Sequence, residues 1–255
     1  MTRARLTAAA RACWGCLLTE RVWQYWGMLV IGHRGASVAA AENTVQAFVL
    51  ADAMGADGVE LDVRLAPDGR LLVKHDPLPI DADRLAEYPD LSTVLAACGD
   101  MLVNVEIKNS VGERGHDPTL AVVESTIAEM RLHGSIDRWV LSSFDWATLQ
   151  RCREVAPDLA TAFLVEKVAD GVAERVAAAG HIALHPDNTT LTEHLVEQCH
   201  TVGLAVNTWT CNEPDRIRQL ALWGVDGVCT DVPDVALGSL GRRVGPATPR
   251  WGRPA

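Results

Sequence analysis

From Met28 onward, short runs rich in β-branched residues alternate with helix-length segments, and nothing else in the sequence restricts the fold as much. The strand-like runs are 29–33, 58–65, 70–75, 102–107, 139–142, 161–165, 182–184, 204–209 and 227–230. Between most of them, apolar residues recur three and four apart, as at 44–54, 118–132, 145–155, 170–179, 192–202 and 214–222. Asp145 and Thr192 stand where N-caps are wanted, and Gly134, Gly180, Gly203 and Gly224 stand where helices should stop. Such alternation implies a parallel sheet covered by helices.

Nine strands are one too many for a closed eight-stranded barrel. The turn sequence Pro67-Asp68-Gly69 resolves the surplus. It leaves no room for the dozen-residue crossover that parallel neighbours need, so 58–65 and 70–75 must form an antiparallel hairpin. Eight parallel strands remain. The expectation is an α/β fold of the (β/α)₈ TIM barrel type, with a short hairpin inserted after the second strand. A chain of 255 residues suits it, since such barrels use about 250. No Gly-rich phosphate loop follows the first strand, which weakens an open nucleotide-binding sheet.

Composition narrows the partners. Hydrophobic residues at 48% and charged ones at 22% allow an ordinary buried core. A formal charge of −10 argues against a nucleic-acid surface, which needs a Lys/Arg excess. It leaves a small anionic substrate possible, because a bound cation can supply local positive charge. The seven cysteines are odd in number and irregular in spacing, so no disulfide framework is expected. Cys13 and Cys16 form a CxxC without a second pair. Arg11 and Glu20 interrupt the N-terminal apolar stretch, and no window has the length of a membrane span. Residues 1–27 are expected to be an extension, with Met28 a candidate initiator, followed by a barrel domain over 28–237. The Gly-, Pro- and Arg-rich stretch 238–255 is expected to be a loosely attached tail, and the cytoplasm is the expected compartment.

Barrel sites lie at the carboxyl ends of the strands. There the sequence places His33-Arg34, Glu60 with Asp62, His75-Asp76, Glu106 with Lys108, and Asn207 with Trp209. Residues two apart on a strand share a face. Glu60, Asp62 and Glu106 are hard oxygen donors that suit Mg²⁺ or Ca²⁺. By position alone they could equally form ion pairs with Arg34, Arg64 or Lys108. Two histidines beside the cluster favour general acid–base chemistry.

Residues 31–76 (IGHRGASVAAAENTVQAFVLADAMGADGVELDVRLAPDGRLLVKHD) closely resemble the signature of the glycerophosphodiester phosphodiesterases. The resemblance continues in VNVEIK (103–108), LSSF (141–144), LAVNTWTCNEPD (204–215) and GVDGVCTD (224–231). It implies a barrel enzyme with a divalent cation, acting on small glycerophosphodiesters. His33 and His75 would be the catalytic pair and Glu60, Asp62 and Glu106 the metal ligands. Arg34 and Lys108 would contact phosphate, and Trp209 would line the alcohol pocket. Ala41 replaces the family's usual Pro before Glu42-Asn43-Thr44, where Asn43 and Thr44 still look able to cap the next helix. The segment Pro77–Leu91 lacks the long insertion of some relatives. A lysophospholipase D on the same barrel is the second reading, with Trp146, Trp209 and Trp223 as a candidate acyl rim. A catalytically inactive binding barrel is the third.

Overall fold

The structure, a computed structural model, describes residues 27–245. The extension expected at 1–27 falls outside them except for Gly27. Strands β1 (Leu29–His33), β2 (Gly58–Leu65), β4 (Leu102–Ile107), β5 (Trp139–Ser143), β6 (Ala160–Val165), β7 (Ala183–Pro186), β8 (Ala205–Thr208) and β9 (Gly227–Thr230) run parallel. β1 pairs with both β2 and β9, which closes the barrel. Its helices are α1 (Val45–Met54), α2 (Leu91–Ala97), α3 (Ala121–His133), α4 (Trp146–Val155), α5 (Val172–Ala178), α6 (Glu193–Thr201), α7 (Pro214–Leu222) and α8 (Pro233–Ser239). Asp145 and Thr192 do cap α4 and α6, each accepting from a backbone N–H three residues on. Outside the barrel, Phe48, Leu61, Leu91, Ile107, Met130 and Leu141 pack as one apolar cluster. Val30, Leu149, Leu184, Ile217 and Leu220 belong to a second.

The hairpin arm β3 (Leu71–Val73) pairs antiparallel with β2, as the turn sequence requires, but it is shorter than 70–75. The reason lies in the edges of β2. β4 occupies one edge from Gly58 to Val63. β1 and β3 must share the other, β1 up to the His33–Glu60 pair and β3 down to the Val73–Val63 pair. Lys74 N–H makes the last bond, to the Asp62 carbonyl at 3.0 Å, and then the chain leaves the ladder. His33 thus ends β1 and His75 follows two residues after β3, where the two strands meet on one edge of β2.

Of the tail expected at 238–255, residues 246–255 lie outside the described residues, and 238–245 are attached to the barrel. Gly238 and Ser239 belong to α8. Arg242 forks onto Asp57 at 2.6 and 3.0 Å, and Gly245 N–H reaches the Met54 carbonyl at 2.9 Å. The segment is bound to the barrel as far as residue 245. A buried carboxylate without a side-chain partner at the start of β2 would be costly, and Arg242 supplies one. Among the described residues, no helix is long and apolar enough to cross a membrane.

Candidate active site

Strand alternation grades the barrel interior from apolar to charged. Leu29, Ile31, Leu102 and Cys229 form an apolar cluster low in the barrel. Asn104, His185 and Asn207 line the cavity above it, and His33, Glu60, Glu106 and Lys108 stand near its mouth. Gly227 makes room for this polar layer, since a Cβ there would lie 2.4 Å from Asn207 Oδ1. The cavity measures about 830 Å³ and takes in Arg34, His75, Phe144 and Trp209 as well.

The three expected carboxylates converge. Glu60, Asp62 and Glu106 each offer an oxygen within 4.8 Å of the others, and all three side chains are buried. They form the one such cluster among the described residues. Glu60 Oε2 accepts from Arg34 N–H at 3.0 Å, while Oε1 is buried without a partner. Asp62 Oδ2 accepts from Asn43 Nδ2 at 2.8 Å, and Oδ1 has no hydrogen bond. Asn43 therefore serves Asp62, and Thr44 alone caps α1. Burial, then repulsion from Asp62 and Glu106, pushes the Glu60 carboxyl well up. Burial and repulsion from Asp62 push Glu106 to about 7 despite Lys108.

The ion pairs expected as the alternative are present too. Arg34 Nε lies 3.3 Å from Asp62, and Lys108 Nζ lies 2.7 Å from Glu106 and 3.7 Å from Asp62. Arg64 does not join them; it bonds Glu113 and the His75 carbonyl. Fully ionised, the three carboxylates would exceed these two cations by one charge, and Arg34 is shared with Glu42; the raised Glu60 and Glu106 carboxyls and two orphaned oxygens reflect that shortfall. Buried charge of this kind is stable only when paired or metal-bound. The donor set is all oxygen and suits Mg²⁺ or Ca²⁺.

A left-handed residue turns the chain at this point. Arg34 has φ 56°, which aims its N–H at Glu60 and its guanidinium toward Asp62. Gly35 follows with φ 88°, and a Cβ there would lie 2.6 Å from the Ala47 backbone. Only glycine fits between β1 and α1.

Each histidine carries a carboxylate on Nδ1. His33 Nδ1 lies 2.7 Å from Asp231 Oδ1, which also accepts from Ser37 Oγ at 3.0 Å. Asn212 Nδ2 donates to Asp231 Oδ2 at 2.6 Å. Burial raises the Asp231 carboxyl, but the bonds from His33, Asn212 and Ser37 outweigh it and hold it at about 2. An ionised carboxylate only accepts, so the neutral His33 ring carries its proton on Nδ1 and leaves Nε2 as the acceptor. His75 Nδ1 lies 3.0 Å from the exposed Asp76. Burial lowers the His75 pKa, with Asp62 opposing and Lys108 reinforcing.

Trp209 lines the cavity as expected, its Nε1–H donating to the His185 carbonyl at 2.8 Å and its ring edge-on to Phe144. Trp146 packs edge-on against Phe163 and His181, and Trp223 lies under Arg216. The candidate acyl rim thus reduces to Trp209. Sequence reasoning missed Asp231, although it closes the stretch GVDGVCTD. It also missed Asn104 and His185, which alternation along VNVEI and LHP would have turned inward.

Fold and site together define a (β/α)₈ barrel with an acidic, cation-fitted centre at its carboxyl face. Residues 33–87 and 77–235 match the model of the glycerophosphoryl diester phosphodiesterase family. A glycerophosphodiester phosphodiesterase of Caldanaerobacter subterraneus is 30% identical over 241 residues, covering 82% of this chain and 96% of that one. The crystal structure of a glycerophosphodiester phosphodiesterase from Thermotoga maritima is 27% identical with a TM-score of 0.67, over 84% and 98% of the two chains. An Oleispira antarctica phosphodiesterase, solved with the product sn-glycerol-3-phosphate, shares the fold at 23% identity and a TM-score of 0.76, over 86% and 98%. The chain belongs to the glycerophosphoryl diester phosphodiesterase family and is an enzyme of that class.

Proposed function

We propose that this chain hydrolyses glycerophosphodiesters to glycerol 3-phosphate and an alcohol, with His33 and His75 as the acid–base pair. The observation that carries the reading is the convergence of two carboxylate-backed histidines on one cavity with a buried cluster of three carboxylates. Glu60, Asp62 and Glu106 would hold Mg²⁺ or Ca²⁺. Such a cation, when bound, supplies Lewis-acid polarisation of a phosphate oxygen and a template for the substrate.

The chain's own residues do the rest. Arg34 and Lys108 bind the phosphate and offset the charge that builds on its oxygens during displacement. One histidine takes a proton at Nε2 from the attacking hydroxyl: water gives glycerol 3-phosphate directly, whereas the glycerol 2-hydroxyl gives a cyclic phosphate that a water then opens. The other delivers a proton to the departing alkoxide, a poor leaving group at neutral pH. Asp231 keeps the His33 ring in one orientation and one tautomer. Trp209 forms a flat wall for the alcohol moiety.

Turnover of glycerophosphocholine should require added Mg²⁺ or Ca²⁺ and cease with EDTA. His33→Ala and His75→Ala should each lower kcat by about 10²–10⁴-fold. Near-parental turnover by either variant would remove that histidine from the mechanism. Faster hydrolysis of lysophosphatidylcholine than of glycerophosphocholine would favour the lysophospholipase D reading instead.

A further inference from the structure

His75 has a support problem. It lies two residues beyond the end of β3, and the last ladder bond before it is made by Lys74. Its ring is about one-third exposed, and among the described residues its side chain bonds only Asp76, itself 70% exposed. Placement to within a fraction of an ångström needs a firmer anchor than a free loop.

Arg64 supplies that anchor. It lies on β2, two residues beyond Asp62, and its side chain is only 5% exposed. Its Nε–H donates to the His75 carbonyl at 2.8 Å, and Nη2 donates to the same oxygen. The fork is fixed from behind by Glu113, whose Oε1 accepts from Nη2 at 2.7 Å. Glu113 belongs to the loop after β4, and the neighbouring Arg114 donates to the Pro77 carbonyl at 3.3 Å. The arm is therefore held on either side of Asp76, by Arg64 at the His75 carbonyl and by Arg114 at the Pro77 carbonyl. A planar guanidinium with two N–H groups on one carbonyl fixes both distance and direction, which an ammonium cannot do.

We propose that Arg64 is a positioning residue for His75, acting through the His75 carbonyl and locked by Glu113. The proposal rests on the assignment of His75 to the catalytic pair. It goes beyond that assignment in naming what holds the histidine in register with His33. Arg64 bonds the His75 carbonyl and Glu113 rather than the carboxylate cluster, and it does not line the active-site cavity. Its removal leaves the phosphate site intact and displaces an acid–base group, so the loss falls on kcat. A displacement of about 1 Å at such a group costs on the order of 10²-fold.

The test is a double-mutant cycle in the full chain, read as kcat and KM on glycerophosphocholine with Mg²⁺ present. Arg64→Met should lower kcat by about 30- to 100-fold with KM within about threefold. Arg64→Lys, which keeps the charge, should regain part of that loss, and Glu113→Gln should cost about threefold. In a His75→Ala background, Arg64→Met should cost less than about threefold more, because the group it positions is gone. A full loss in that background, or parental kcat in Arg64→Met alone, would overturn the proposal. If Arg64→Met fails to fold, Arg64→Lys completes the same cycle. Unimpaired turnover by His75→Ala alone would instead sink the assignment of His75, so the two failures are told apart.

Discussion

The two ends of this barrel treat buried acids in opposite ways. At the amino ends of the strands, Asp57 accepts from Val30 N–H at 2.8 Å and from both arms of Arg242. Asp226, at the start of β9, accepts from Val206 N–H at 2.7 Å and faces His200 Nε2 at 2.8 Å. At the carboxyl ends, Glu60 and Asp62 each keep an oxygen buried and unbonded, 4.8 Å or less from their neighbours' oxygens. Buried carboxylates are a brace below and a mutually repelling cluster above. Barrels divide labour in this way, with stability at one face and chemistry at the other. What marks the functional end is incomplete satisfaction of buried charge, since a folded protein retains that cost only where something outside the chain removes it.

The largest effect expected from breaking this contrast is at the lower end. Arg242→Ala removes the guanidinium fork from the buried Asp57 carboxylate, which should cost about 3 kcal/mol. For a chain of this size the melting temperature should fall by roughly 10 °C. Turnover per folded molecule should stay at the parental value, as measured by kcat well below the transition. A drop in kcat with unchanged melting would contradict the division between the two ends.

Glu60→Gln probes the upper end, and the sign reverses. Amide replacement removes one of three mutually repelling carboxylates, and Gln Oε1 can still accept from Arg34 N–H. Without a cation, the variant should melt about 2–4 °C above the parent, a gain of about 1 kcal/mol. The parent should recover the difference when Mg²⁺ or Ca²⁺ is added. At a concentration 100 times Kd, binding stabilises by about 2.7 kcal/mol, or roughly 5–10 °C. Calorimetry of both proteins, with EDTA and with each cation, reads all of this. A cation-induced rise as large in Glu60→Gln as in the parent would remove Glu60 from the ligand set.

The sequence discloses the upper end better than the lower. Glu60, Asp62 and Glu106 could be found because each lies on a strand whose period and length are plain, and β1, β2, β4 and β9 begin and end where the pattern puts them. The Pro67-Asp68-Gly69 turn separated eight barrel strands from the arm for a local reason, the shortness of the link. What stayed hidden depends on distant partners. Asp231 meets His33 across 198 residues and Arg242 meets Asp57 across 185, and no local period encodes either. β3 ends early because β1 already holds the edge of β2, a competition visible only once the barrel closes. The helix Leu91–Ala97 is only seven residues long and escaped notice, and Pro233–Ser239 runs into a Gly- and Arg-rich stretch that reads as tail.

Two histidines should show the smallest and most discriminating difference, because their signs are opposite. His185 lies in the cavity wall, 4% exposed, with Nε2 at 3.0 Å from Asn207 Nδ2, and burial lowers its pKa to about 4. The unfolded chain takes up that proton near pH 6.5, the folded one only near 4. Between those values the unfolded state binds more protons, so stability is complete above about pH 6.5 and declines as the pH falls. The decline should reach about 1 kcal/mol by pH 5.5. His200 is raised instead, by its hydrogen bond to Asp226. Its contribution is complete below pH 6.5 and is lost as the pH rises through the folded-state pKa. Urea unfolding across pH 5–8 should therefore show His185→Gln flattening the acid side and His200→Gln flattening the alkaline side. The His200 effect should be the weaker, since that ring is 41% exposed and water screens its pair. If both variants changed the same limb, the cavity-wall histidine would be paired like the lower one, and the unsatisfied character of the upper end would be confined to the carboxylates.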